Sequence, residues 1–175
     1  LERLEEFINQ EIEAKRLPGA VTWIARKGSV VHHKAIGYSD LQSATPMKED
    51  QIFYIQSMTK LIVSTGLMML YEEGHFLLSD PVSKCLPFLA DLKVAADMHQ
   101  GTSGELLEIE RPIAITDLFS HTAGFSHGLG NNKLEREVNA ALYQEEHPDL
   151  ESRVKALASM PLVGQPGGQW HYSAA

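Results

Sequence analysis

Ser57-Met58-Thr59-Lys60 sets a hydroxyl and an amine at positions i and i+3, which share one face of a helix. Serine is a weak nucleophile unless a base stands within hydrogen-bond reach. A lysine amine serves as that base where burial and nearby cations favour its neutral form. A nucleophile at a helix start also sits where unpaired backbone N–H groups and the helix dipole favour a developing oxyanion. The spacing recurs in the chain at Ser152-Arg153-Val154-Lys155. That second copy lies in an amphipathic segment beside Glu151, where Lys155 is expected to be solvated. The first copy opens a strongly apolar segment, where a lysine without a partner is costly. Spacing alone fits an N-capping Ser57 with a surface Lys60 equally well.

Tyr172 is a second candidate. It follows a Gly-rich turn and pairs with Trp170, a setting that would hold a phenol in place, although a buried tyrosine more often only packs its ring and satisfies its hydroxyl. Among the eight histidines, His32 and His33 point to opposite faces of a strand and cannot share a metal. His121 and His127 flank a glycine turn without a Cys or carboxylate at ligand spacing. No Gly-x-Ser-x-Gly elbow supports a histidine-based triad, and neither Gly37 nor Gly164–Gly168 has the spacing of a phosphate loop. No metal or cofactor is expected.

The elements that must position these residues are readable from periodicity. Leu1, Leu4, Phe7, Ile8 and Ile12 form one apolar stripe of a helix that Pro18-Gly19 stops. Val21–Arg26 and Val30–Ile36 read as strands joined around Lys27-Gly28-Ser29. Ser57–Glu73 reads as a helix apolar on most sides, hence buried, with Gly74 at its C′ position. A short helix is expected near Val82–Phe88, and a small hairpin from Leu92–Met98 and Glu105–Glu110. Thr116 is expected to cap a helix through Asp117–His121, with two amphipathic helices following at about Lys133–Tyr143 and Asp149–Ser159. This divides the chain into 1–56, a helix plus hairpin that starts an α/β domain, and 57–175, a helical region. A lone hairpin is marginal in water, so further strands are expected to complete its sheet.

Four segments in order, Ser-Met-Thr-Lys (57–60), Glu-Glu-Gly-His-Phe-Leu-Leu-Ser-Asp-Pro-Val (72–82), Ile-Thr-Asp-Leu-Phe-Ser-His-Thr-Ala-Gly-Phe (115–125) and Gln-Pro-Gly-Gly-Gln-Trp-His-Tyr-Ser (165–173), resemble the serine β-lactamase-related superfamily. It includes class C β-lactamases, D-alanyl-D-alanine carboxypeptidases and family VIII carboxylesterases. The resemblance implies an α/β (α+β), β-lactamase/transpeptidase-like fold, a helix-flanked antiparallel sheet plus a helical domain, with the sheet incomplete in this chain. It implies Ser57 as the acylated nucleophile, Lys60 and Tyr172 as the coupled base and proton shuttle, and the Ser57 N–H as part of the oxyanion site.

Two departures shape the expected function. The tyrosine motif of lactamases and carboxypeptidases usually reads Tyr-x-Asn, whereas here the third position is Ala174. Losing that amide resembles the esterase branch, so a carboxylesterase is expected first, with a β-lactamase or D-Ala-D-Ala carboxypeptidase as the alternative. An acyltransferase and a non-catalytic binding relative are further alternatives. Secondly, the family's remaining strands and Lys-Thr-Gly-like motif follow the tyrosine, so these 175 residues alone are expected to be inactive, with a C-terminal fragment of the same protein as a partner.

The bulk composition sets outer bounds. With 175 residues, 43% of them hydrophobic and 22% charged, the chain can bury a core. A formal charge of −8 disfavours nucleic acid and anionic membranes as partners. The apolar run Leu61–Tyr71 is too short to span a bilayer. A small ester, or a β-lactam or peptide-like molecule, is the expected substrate. One cysteine, Cys85, excludes an internal disulfide and leaves the compartment open.

Overall fold

The computed structural model describes residues 1–173, so the departure at Ala174 lies outside the described residues. The chain forms two compact units, Leu1–Met58 and Thr59–Ala175.

In the first unit, helix α1 (Glu2–Glu13) is followed by strand β1 (Gly19–Arg26), strand β2 (Ser29–Asp40) and the two-residue strand β3 (Thr45–Pro46). They form an antiparallel sheet in the order β1-β2-β3, with α1 packed on β1 and β2 and Ile8 buried beneath it. The hairpin closes at Lys27-Gly28, whose φ angles of 50° and 78° are the paired left-handed conformations that match the twist of the flanking strands. At the far end Gly19 pairs with Gly37. A Cβ on Gly19 would lie 2.5 Å from the Tyr38 carbonyl oxygen, so the strands approach there only because no side chain intervenes. His32 is buried, its Nε2 2.6 Å from Thr22 Oγ1, while His33 turns the other way toward Glu49. Both are satisfied structural histidines.

The second unit begins with helix α2 (Thr59–Glu72), then two short 3₁₀ turns, Val82–Lys84 and Pro87–Leu89. Strands β4 (Lys93–Ala95) and β5 (Leu106–Glu108) pair antiparallel, as expected of the hairpin. Helix α3 (Ile115–Ser120), helix α4 (Lys133–Asn139), a π-helical turn (Ala140–Gln144) and helix α5 (Leu150–Ala158) complete it. The core is built from Val82, Leu92, Val94, Ile113, Phe125, Leu134, Val138 and Leu162. Leu162 adds a parallel bridge to Val94, with its N–H donating to the Lys93 carbonyl at 2.8 Å. Among the described residues no helix is long and apolar enough to cross a membrane.

Four expectations are corrected. The helix expected from Ser57 starts at Thr59, with Ser57 in a preceding 3₁₀ turn (Gln56–Met58). None of its residues is buried, and Leu61, Ile62, Val63 and Met69 are all exposed. An all-round apolar sequence states that a helix needs covering but not by which residues. The helix expected at Val82–Phe88 is split into two 3₁₀ turns, because Pro87 lacks the N–H that an α-helix would require there. Thr116 does not cap α3. The helix starts at Ile115, two residues before the expected Asp117, and the Asp117 carboxylate accepts the Ala114 N–H at 2.8 Å. The expected Lys133–Tyr143 helix leaves α geometry after Asn139, where the π turn takes over.

Candidate active site

Ser57 lies exposed in the 3₁₀ turn that runs directly into α2. The residue before it, Gln56, takes a φ of 50°, a left-handed conformation unusual for a non-glycine residue and of the kind that concentrates at functional sites. Lys60, in the first turn of α2, is half-buried. Its Nζ sits 5.1 Å from the centre of the Tyr172 ring. The second Ser-x-x-Lys copy has an ordinary structural role. Ser152 N–H and the Asp149 carboxylate form a capping box at 2.8 Å, and Lys155 pairs with Glu151 across an exposed turn at 2.7 Å.

Tyr172 is half-buried and surrounded by aromatic and imidazole rings. The His121 ring centre is 4.8 Å away, and His127 stacks on Tyr172 at 5.5 Å with an interplanar angle of 12°. The partner expected from sequence, Trp170, is 6.4 Å away and mostly solvent-exposed. His127 carries the stack onward to Tyr143, at 5.9 Å, which lies in the π turn. The Tyr143 hydroxyl and His127 Nδ1 are 3.3 Å apart. Tyr143, with Leu142, His147, Leu150 and Arg153, lines a cleft of about 490 Å³, and the Arg153 guanidinium lies 4.9 Å from the Tyr143 ring centre.

The residues on either side of Tyr172 are fixed by groups that the sequence did not single out. His171 donates its backbone N–H to the His121 carbonyl at 2.9 Å, and its Nε2 meets the Glu135 carboxylate at 2.9 Å. Glu135 is almost fully buried and also receives the Ser126 hydroxyl and the Gly130 N–H. Burial pushes the Glu135 carboxyl upward, but these donors and His171 together hold it below the ordinary carboxylate value. On the other side, Ser173 is 1% exposed and its N–H points at His121 Nδ1, 3.3 Å away.

The loop that supplies His121 is itself locked. His121 ends α3 in a left-handed conformation (φ 56°, ψ 37°). Asp117 accepts both Arg111 Nη atoms at 2.7 and 2.9 Å and the Thr122 hydroxyl at 3.2 Å. Burial raises the Asp117 pKa, and the Arg111, Ala114 and Thr122 hydrogen bonds outweigh it and bring the carboxyl below its ordinary value. The Gly-rich turn before Tyr172 docks on the same loop through Gly167 N–H to Thr122 O and Val163 N–H to Gly124 O, both 2.8 Å. Glu135 and His171 lie 36 residues apart, and His121 and Ser173 lie 52 apart. No local pattern could have paired them.

Comparison with known proteins gives a consistent likeness. Residues 4–175 match the family model described as Beta-lactamase. A protein of Mycobacterium tuberculosis strain H37Rv is 33% identical over 168 residues, covering 96% of this chain and 41% of its own length. Esterase EstB of Burkholderia gladioli is 30% identical over 177 residues, covering 99% of this chain and 42% of its own. The solved structure of EstCE1, described as a hydrolase with promiscuous acyltransferase activity, superposes with a TM-score of 0.81 at 28% identity, over 98% of this chain and 43% of that one. The chain therefore spans about two-fifths of the length of the relatives it matches. The likeness carries the β-lactamase/transpeptidase-like fold expected from the sequence.

Proposed function

We propose, from the chain's membership of the beta-lactamase family, that it supplies the nucleophile and base of a serine hydrolase working through an acyl-enzyme, most specifically a carboxylesterase. The observation that carries this reading is the placement of Lys60 Nζ 5.1 Å from the centre of the Tyr172 ring. That proximity sets an amine beside a phenol, two groups between which a serine proton can be passed.

In this reading Ser57 Oγ attacks the ester carbonyl carbon while its proton passes to the Tyr172–Lys60 pair. The carbonyl oxygen becomes an oxyanion stabilised in part by the Ser57 N–H. Collapse breaks the C–O bond to the alcohol, which leaves with the proton held by the pair. Water, deprotonated by the same pair, then attacks the acyl-enzyme and regenerates Ser57.

Two features support ester over β-lactam chemistry. Ala174 stands where lactamases usually carry the amide that grips an acylamide substrate, and the relatives include an esterase. A second reading, transfer of the acyl group to an alcohol or amine, is supported by the transferase activity described for EstCE1. The test uses the full-length protein with p-nitrophenyl butyrate, nitrocefin and a fluorophosphonate probe. Ester turnover and probe labelling, both lost on Ser57→Ala, are expected. Nitrocefin turnover with an inert ester overturns the ranking, and absence of labelling supports a non-catalytic binding relative.

A further inference from the structure

We propose that His121 is a positioning residue for Tyr172, its neutral imidazole acting as the acceptor that fixes the backbone on the C-terminal side of the phenol. The inference rests on the reading of Tyr172 as general base.

His121 holds both neighbours of Tyr172. Its carbonyl accepts the His171 N–H at 2.9 Å. Its ring Nδ1 faces the Ser173 N–H at 3.3 Å and the Ser173 Oγ at 3.1 Å. A backbone N–H can only donate, so Nδ1 is the acceptor and the ring proton resides on Nε2. Ser173 is 1% exposed, which leaves water little access to replace that acceptor. Tyr172 is thus clamped between two contacts from one residue, and the ring making one of them lies 4.8 Å from the phenol ring.

The clamp requires an unprotonated ring. Burial, and then the Lys60 ammonium, push the His121 pKa below its ordinary value. The titratable and charged groups around it are Lys60 of α2, Tyr172 on the clamped segment with His127 stacked beyond it, the Glu135–His171 pair on the preceding residue, and Asp117 of α3, already taken up by Arg111. Protonation would remove the Nδ1 acceptor and set a second cation beside Lys60. Acid therefore releases the segment carrying Tyr172 without touching the atoms that react.

His121→Asn separates the roles. Asn Oδ1 stands two bonds from Cβ, as His Nδ1 does, and asparagine tolerates the left-handed backbone at this position. In the full-length protein, ester kcat and KM are measured across about pH 5–8 for the parent, His121→Asn, His121→Ala and Tyr172→Phe. His121→Ala is expected to lose about 10- to 100-fold in kcat with little change in KM, because a displaced base is felt in the transition state. His121→Asn is expected to keep most of kcat and to show an acid limb displaced from the parent's, since only the base pair's own protonation then remains. Parental kcat in His121→Ala, a change in KM alone, or an acid limb in His121→Asn that superposes on the parent's overturns the inference. If His121→Ala does not fold, the profile of His121→Asn decides. Tyr172→Phe at parental kcat overturns the general-base reading and this inference with it. Tyr172→Phe inactive with His121→Ala unimpaired overturns only the inference.

Discussion

Replacing Glu135 by Ala tests whether the buried carboxylate is the anchor of the tyrosine segment. In the native protein the carboxylate receives the Ser126 hydroxyl, the Gly130 N–H and His171 Nε2. Removing it strands these donors around a cavity at a site 2% exposed. Breaking a buried polar network of this kind costs about 3–5 kcal/mol, which for a protein of this size lowers Tm by about 6–20 °C. Glu135→Gln keeps the shape and one acceptor and is expected to cost less, about 1–2 kcal/mol. Because the folded-state carboxyl ionises below its ordinary value of 4.5, its stabilising contribution is complete above that value and is lost as pH falls through the folded-state value. The difference in Tm between parent and Glu135→Ala should therefore be largest near neutral pH and shrink on acidification below about pH 4.5. Differential scanning fluorimetry across that range, with urea unfolding at neutral pH, measures both quantities. A Glu135→Ala protein that melts with the parent, or a gap that does not change with pH, would refute the reasoning.

Two further outcomes follow from geometry already described. Gly124→Ala places a Cβ 2.3 Å from the Gly164 carbonyl oxygen at a φ of 86°, and should destabilise by at least about 2 kcal/mol in urea unfolding, since neither backbone segment can give way cheaply. Lys155→Ala should leave ester kcat and Tm unchanged whereas Lys60→Ala abolishes turnover. Equal losses in the two variants would contradict the assignment of the catalytic pair to the first Ser-x-x-Lys copy.

What could be read from the sequence was what depends on neighbours along the chain. The stripe of α1, the turn at Lys27-Gly28 and the opposite facing of His32 and His33 follow from periods of 3.6 and 2 that hold whatever the rest of the molecule does. Strand β3 leaves no trace in the sequence because Thr45–Pro46 is too short to show alternation. Thr116 carries the hydroxyl expected of a cap, whereas the Asp117 carboxylate, tied to Arg111, reaches back to the Ala114 N–H. The segment order singles out Ser57, Lys60 and Tyr172 as candidates, but the contacts around the tyrosine come from His121 and Glu135. Burial and long-range hydrogen bonding define those two residues, and a linear pattern carries neither.

The π turn at Ala140–Gln144 bears on how the gene can change. A π turn holds one more residue per turn than the surrounding helix would need. Deleting a single codon between Ala140 and Leu142 removes that extra residue and lets the segment close into α geometry with the later side chains near their original directions, whereas deleting one within Lys133–Asn139 rotates every later side chain by roughly 100° about the axis. In the second case Tyr143 would swing off His127 and out of the stack that ends at Tyr172. The π turn, which buries Ala141 and Leu142, is thus where this segment can change by one residue, and α4 itself should vary by substitution alone.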